Sequence, residues 1–127
     1  MNILILGGGG REHALAWAFA QNPKCDQIWC APGNAGIAEQ ATCVSIDIED
    51  GQSVLDFVRA NDIDFVMVGP EAPLVAGVAD ALRAGRVLTL GPNHDAAMLE
   101  ASKDFTKAIC AACGAPTAAS RTFDDVE

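Results

Sequence analysis

Short apolar runs recur along most of the chain, and stretches of mixed polarity separate them. The first run, residues 3–6, is continuously apolar, which is typical of a strand buried on both faces of a parallel sheet. Similar runs follow at intervals, the third being the weakest. We therefore predict five strands, near residues 3–6, 27–31, 43–46, 65–68 and 87–90.

The stretches between and after these runs predict helices. They are residues 11–22, the segment after Asp50, residues 73–84, residues 93–101 and residues 103–113. Pro23 ends the first helix, because proline cannot continue an α-helix. Gly85 is expected in the C′ position of the third helix, and Ser102 is the expected N-cap of the last.

Alternating strands and helices of this size predict an α/β fold. We expect an open, mostly parallel, doubly wound sheet of the Rossmann-like kind, with helices on both faces. Residues 1–101 form this predicted domain. The pattern changes after Gly91-Pro92, so residues 102–127 are interpreted as the start of a second unit, of which residues 117–127 are expected to be mobile.

The charge balance excludes some classes of partner. Among 127 residues, 17 Asp and Glu oppose 8 Lys and Arg, which gives a formal net charge of −9. Such an acidic chain is unsuited to non-specific binding of nucleic acids or anionic membranes. No apolar run is long enough for a transmembrane helix. We therefore expect no nucleic-acid or membrane partner and a cytoplasmic location.

The five cysteines are expected to be reduced, because their number is odd and no secretion signal is present. Only Cys110 and Cys113 have the spacing of a metal or redox pair. They fall near the end of a predicted helix, whereas redox pairs typically open one. Neither histidine is near them in sequence. We interpret them as small packed side chains and predict no metal site.

Glycine and proline are concentrated just after the predicted strands. Such turns follow four of the strands, at residues 7–10, 32–36, 69–70 and 91–92. In a parallel sheet these turns lie along one edge, where ligands bind in open α/β folds. Any one of them could be an ordinary turn, but four on the same edge favour a binding crevice.

The turn at residues 7–10 precedes a helix, which predicts an anion site. Glycines allow backbone N–H groups to approach a phosphate, and a helix N-terminus favours negative charge. A dinucleotide site is disfavoured, because His13 stands where a third glycine is needed and no acid ends the second strand. No Lys-Ser or Lys-Thr pair completes a P-loop. A smaller phosphate ester fits better.

The sequence leaves two alternative roles for each of two charged residues beside these turns. Arg11, in the first helical turn, either contacts a bound anion or pairs with an acid such as Glu12. Glu71 lies between Pro70 and Pro73, which stiffen its loop. Its carboxylate either binds a hydroxyl or amine of the ligand, or complements the positive end of the following helix.

Four motifs together resemble one known family, that of glycinamide ribonucleotide synthetase (phosphoribosylamine–glycine ligase), whose members are ATP-grasp ligases. The motifs are Gly8-Gly9-Gly10-Arg11-Glu12-His13-Ala14-Leu15, Ala31-Pro32-Gly33-Asn34-Ala35-Gly36, Val68-Gly69-Pro70-Glu71-Ala72-Pro73-Leu74 and Leu99-Glu100-Ala101-Ser102-Lys103. The resemblance covers essentially the whole chain. Family members are much longer, so the chain is similar to their N-terminal, pre-ATP-grasp part.

The resemblance implies a reaction of de novo purine synthesis. ATP phosphorylates the carboxylate of glycine, and the amine of 5-phosphoribosylamine attacks the acyl phosphate, giving glycinamide ribonucleotide, ADP and phosphate. It also implies a substrate-binding set. These residues would line the phosphate and ribose of phosphoribosylamine: Gly9, Gly10, Arg11 and Glu12 at the phosphate, and Pro32, Gly33, Asn34, Gly69, Pro70 and Glu71 at the ribose.

By the same resemblance, Lys103 would bind nucleotide phosphates, whereas its position alone would suggest a surface lysine. The complete enzyme would use ATP and Mg²⁺ or Mn²⁺. This chain has no evident set of metal-binding carboxylates and no assigned catalytic residue. We therefore expect it to bind no cofactor completely and to be inactive alone.

Two alternative functions are carried forward. The first is a stand-alone module that binds sugar phosphates without catalysis. The second is a small oxidoreductase domain that binds NAD, which the missing third glycine and the missing ribose-binding acid disfavour.

Overall fold

A computed structural model describes residues 1–123. It contains one five-stranded sheet, in which every neighbouring pair of strands is parallel. The strands are β1 (Asn2–Gly7), β2 (Gln27–Pro32), β3 (Thr42–Cys43), β4 (Phe65–Val68) and β5 (Leu88–Leu90). Their order across the sheet is β3-β2-β1-β4-β5. The predicted open parallel α/β fold is confirmed.

Six α-helices and one short 3₁₀ helix connect or follow the strands. The helices are α1 (Gly10–Ala20), α2 (Gly51–Ala60), α3 (Glu71–Val75), α4 (Val78–Ala84), α5 (His94–Ala101) and α6 (Lys103–Cys113); the 3₁₀ helix spans Ile37–Glu39. None of the helices within residues 1–123 is both long and apolar enough to cross a membrane.

Alternate residues of the central strands enter two separate cores. One core, on the face covered by α1, contains Ile3, Ile5, Ala16, Ile28, Cys30 and Ile37. The core on the opposite face receives Leu4 and Leu6 from β1 and apolar side chains from α2, α3, α4 and α5. Strand β1 is thus buried on both faces, which explains why its sequence is continuously apolar.

The predicted third helix is wrong in its extent, because two helices occupy its place. The first begins at Glu71, two residues earlier than predicted, with Pro70 as its N-cap. Pro73 is tolerated because the first turn of a helix needs no backbone donor. Gly77 then adopts a left-handed conformation (φ +83°), which ends the first helix and starts the second at Val78.

Gly85 does not have the left-handed conformation expected of it. It is the C-cap of α4 with φ −74°, and Arg86 takes the left-handed conformation instead, with φ +62°. Glycine at position 85 allows close packing, since an added Cβ would lie 2.8 Å from Leu55 Cδ1 of α2 and that side chain would have to shift. The prediction that Gly85 occupies the C′ position is therefore wrong, because Gly85 is the C-cap and Arg86 follows it.

The other boundaries differ only in detail. Strand β3 is shorter than predicted, covering only Thr42–Cys43. The caps at Asp50 and Ser102 are confirmed, because their side chains accept hydrogen bonds from the backbone N–H groups of Gln52 (2.9 Å) and Phe105 (3.2 Å). The division at residue 101 and the mobility of residues 117–127 remain predictions, and residues 124–127 lie outside the described part.

Cys30 provides a titration test of the core beneath α1. Burial raises the pKa of this thiol from 9.0 to about 12. The unfolded chain therefore loses this proton at lower pH than the folded chain does. We expect the free energy of unfolding to fall as pH rises from about 9 towards 12.

Chemical unfolding at a series of pH values measures this effect. In Cys30→Ala the alkaline fall should be shallower, whereas Cys113→Ala, which removes an exposed thiol, should leave it unchanged. Equal slopes in all three proteins would show that the Cys30 thiol is not protected from ionisation by the fold.

Candidate functional site

Three turns converge where the chain changes direction across the sheet. Strand β1 lies between β2 and β4, and all three strands end at the same edge. Their carboxyl ends carry the glycine loop (residues 7–10), the β2 loop (residues 32–36) and the β4 loop (residues 69–71). The point between β1 and β4, where the strand order reverses, is the usual ligand position in such folds.

The glycine loop and the β2 loop are bonded to each other directly. The backbone N–H of Gly33 donates to the carbonyl of Gly7 at 3.1 Å. The amide nitrogen of Asn34 donates to the carbonyl of Gly8 at 2.8 Å. A Cβ on Gly8 would lie 2.6 Å from the carbonyl oxygen of Gly33, so this close approach requires glycine at position 8.

Glu12 supports the glycine loop from the interior. The residue is only 5% exposed, and its Oε2 accepts a hydrogen bond from the backbone N–H of Gly9 at 2.7 Å. A Cβ on Gly7 would lie 2.7 Å from Glu12 Cγ, and one on Gly69 would overlap the carboxylate. Glycine on both sides thus provides the space that the Glu12 side chain fills.

Arg11 joins the glycine loop to the β4 loop. Its Nη1 donates to the carbonyl of Gly69 at 2.8 Å, and its Nε lies 4.0 Å from Glu12 Oε1. The side chain is 67% exposed. Because one guanidinium nitrogen is bonded to the protein while most of the side chain faces solvent, Arg11 can hold the two loops together and still contact an anion.

Gly10 opens the first turn of α1 towards solvent. A Cβ added to this residue would meet no atom within 4 Å. The backbone N–H groups of the first helical turn have no acceptor within the helix. This end of α1 therefore combines accessible backbone donors, the positive end of a helix dipole and the Arg11 guanidinium, which is the arrangement that a phosphate requires.

The remaining residues of the predicted ribose side lie on the flanks of these loops. Pro32 ends β2 beside Gly7 of β1. Glu71 begins α3 and lines a cavity of about 520 Å³ together with Glu49 and Glu100. Sequence analysis did not identify Glu49 and Glu100 as neighbours of Glu71, because they come from distant turns and helices with no shared motif.

Lys103 is not among the residues that line the cavity at Glu71. It is the first residue of α6 and lines a separate cavity of about 300 Å³. Lys107 and Arg121 line the same cavity. Sequence analysis missed both; the i, i+4 spacing of the two lysines on α6 was a signal that could have found Lys107. The predicted phosphate-binding lysine thus shares its cavity with two further cationic residues and with Asp104.

Metal-ligating side chains are not gathered into a metal site within residues 1–123. No group of three or more His, Cys, Asp or Glu in this part could hold an ion. The three glutamates of the cavity at α3 therefore do not form a magnesium site here. All five cysteines are free thiols.

Fold and geometry together define a class: an open parallel α/β domain with an anion-binding edge built from glycine-rich turns. Comparison with known proteins places the chain in one family within this class. The family described as "Phosphoribosylglycinamide synthetase, N domain" matches residues 1–100. The chain belongs to this family.

Individual relatives agree with this assignment. The chain is 55% identical over 127 residues to a phosphoribosylamine–glycine ligase of Rhizobium meliloti and 54% identical to one of Agrobacterium fabrum; all of the chain but only 30% of each relative is matched. A solved phosphoribosylamine–glycine ligase from Thermotoga maritima superposes with a TM-score of 0.64 at 27% identity, covering 90% of this chain and 25% of that one. The chain thus spans about a third of the length of these relatives.

The buried carboxylate of Glu12 generates a stability prediction. Glu12→Ala should lower the free energy of unfolding by about 1–3 kcal/mol, because it leaves the N–H of Gly9 without its acceptor and a void between the loops. Glu12→Gln keeps the volume and an acceptor oxygen and should lose less. Urea denaturation measures both.

Glu39→Ala is the matched control, since Glu39 is an exposed glutamate on the 3₁₀ helix. It should change the free energy of unfolding little. If Glu12→Ala were as stable as Glu39→Ala, the carboxylate would not support the loop.

Proposed function

We propose that the chain is the substrate-binding N-terminal part of a cytoplasmic, ATP-dependent carbon–nitrogen ligase that joins glycine to 5-phosphoribosylamine. In this reaction the carboxylate of glycine takes the γ-phosphoryl group of ATP, releasing ADP. The amine of phosphoribosylamine then attacks the acyl carbon, and phosphate leaves. The product is glycinamide ribonucleotide.

One observation carries this proposal: the glycine loop, the β2 loop and the β4 loop form a single bonded unit with an open helix N-terminus at its centre. The family match makes phosphoribosylamine the substrate expected at this unit. Its phosphate would accept hydrogen bonds from the backbone N–H groups that open α1 at Gly10, and from Arg11. Gly9 would contribute by shaping the loop, because its own N–H is bonded to Glu12.

The ribose would lie between the flanking loops. Pro32, Gly33 and Asn34 are on one side of the glycine loop, and Gly69, Pro70 and Glu71 are on the other. The Asn34 amide is already bonded to Gly8, so Asn34 contributes by fixing the loop as well as by any contact with the sugar. Glu12 acts in the same indirect way, because its carboxylate is buried.

Lys103 is proposed as a ligand of ATP phosphates, with Lys107 and Arg121 beside it. Positive charge at a transferred phosphoryl group offsets the negative charge that develops in the transition state. The carboxylates that would bind Mg²⁺ or Mn²⁺ are expected in the remaining length of the relatives, since residues 1–123 do not gather such a group.

A second candidate function is a module that binds sugar phosphates without catalysis. It is favoured by the observation that all three loops of the anion-binding edge come from residues 7–71, so this edge is complete within the described chain. Reading the source gene beyond the codon for Glu127 separates the two. Further strand–helix units with metal-binding acids support the ligase, and a stop codon supports the module.

Ribose 5-phosphate, which carries the phosphate and sugar of the proposed substrate, tests the site directly. We expect saturable binding to the chain in calorimetry, lost in Gly10→Val because the new side chain occupies the space in front of the first turn of α1. Ala14→Val, one turn further along the exposed side of α1, should bind normally. Unchanged binding in Gly10→Val would show that the glycine loop is not part of the site.

An NADH titration tests the oxidoreductase alternative. Tight saturable binding of NADH would favour an oxidoreductase instead.

The chain alone should show no ligase turnover. Residues 1–123 gather no metal-binding group of acids, so they supply no metal ion to neutralise the charge that develops on the transferred phosphoryl group. The measurement is ADP release with ATP, Mg²⁺, glycine and phosphoribosylamine. Release that depends on both glycine and phosphoribosylamine would contradict this prediction.

A further inference from the structure

The face of the sheet that carries α1 is covered over only part of its width. Parallel register aligns one row of side chains across the strands: Ile28, Ile3, Phe65 and Leu88. Ile28 and Ile3 are 8% and 4% exposed, whereas Leu88, at the far end of the row, is 62% exposed. Phe65 lies between these extremes.

The next row on the same face repeats this gradient. It contains Cys30, Ile5, Met67 and Leu90. Cys30 and Ile5 are fully buried, Met67 is partly buried, and Leu90 is 55% exposed. We call Phe65, Met67, Leu88 and Leu90 the β4–β5 strip. It is an apolar surface within a sheet type that is normally buried on both faces.

The width of a helix explains why α1 covers only part of this face of the sheet. A helix is about 10 Å wide and strands are about 4.8 Å apart, so one helix covers roughly two strands. Helix α1 packs over β1 and β2, and its Phe19 reaches Phe65 edge-to-face with ring centroids 6.4 Å apart. The strip on β4 and β5, which α1 covers only at its inner edge, has the width of one more helix.

The strip also contains a cavity. A cleft of about 240 Å³ lies between the end of α1 and the strands, and Phe19, Phe65 and Leu88 form much of its apolar wall. Lys24 and Asn22 also line it, whereas no acidic side chain among the described residues does. The apolar wall formed by Phe19, Phe65 and Leu88 suits an aliphatic or aromatic side chain.

The length of the relatives suggests what covers the strip in a longer protein. The chain matches 30% of the Rhizobium meliloti ligase, and its family is defined as an N domain, so most of such a protein lies outside it. A second copy of this chain is a poorer occupant, because each copy carries a net charge of −9. We propose that the β4–β5 strip is the docking surface for the apolar face of a helix from the remaining part of the longer ligase. This inference rests on the proposed function only in requiring that longer chain.

The test compares the chain alone with a chimera. In the chimera, residues 1–127 replace the matching segment of the Rhizobium meliloti ligase. Hydrogen exchange of the β5 amides should be at least about tenfold slower in the chimera, because a docked helix suppresses local opening of this edge strand.

A double variant gives a second measurement. Leu88→Asp combined with Leu90→Asp should leave the melting temperature of the isolated chain nearly unchanged. In the chimera the same pair should lower it by about 5 °C or more.

Trp17→Asp is the control, since Trp17 is 58% exposed on α1 and lies outside the strip. It should be neutral in both proteins. Equal exchange rates in the two proteins, or a strip substitution that is equally mild in both, would overturn the proposal. Self-association of the isolated chain that Leu88→Asp abolishes would assign the strip to a second copy instead. Ligase turnover by the chimera is measured separately, so loss of activity with intact protection at β5 would count against the proposed function and not against the docking surface.

Discussion

The hydrogen bond from the Gly9 N–H to the buried Glu12 carboxylate is the contact on which the binding edge depends. It holds the glycine loop above the end of β1 and places a side chain between that loop and Gly69. A buried carboxylate is costly unless hydrogen bonds and nearby cations compensate it. Here the N–H of Gly9, the neighbouring Arg11 and the positive end of α1 provide that compensation. The same arrangement leaves the outer side of the loop free.

The edge is locally suited to anions although the chain as a whole is acidic. Backbone N–H groups and one guanidinium supply the attraction, and neither depends on net charge. The acidic residues near the edge are gathered instead around the start of α3, where Glu49, Glu71 and Glu100 line one cavity. This separation of charge would orient a substrate that carries a phosphate at one end and hydroxyl and amine groups at the other.

The two faces of the sheet differ in a way that bears on how the domain is used. Four helices cover one face, whereas α1 and the short 3₁₀ helix cover part of the other. A sheet that buried both faces by itself would need no neighbour, whereas the exposed leucines of β5 leave apolar surface in water. The incomplete face is the surface on which we propose that a further helix docks, and the relatives that the chain matches are longer than it.

The sequence by itself determined the succession of elements and the edge at which ligands should bind. A short apolar run such as residues 3–6 is typical of a strand buried on both faces. Helix caps such as Asp50 and Ser102 act through hydrogen bonds between near neighbours. Tertiary structure decided what each residue does. In the folded chain Glu12 fills the space beside Gly69, Gly85 packs against Leu55, and Arg11 donates a hydrogen bond to Gly69. Each of these contacts depends on a partner from a distant segment. Local patterns carry no information about such partners, so only the folded sheet could assign them.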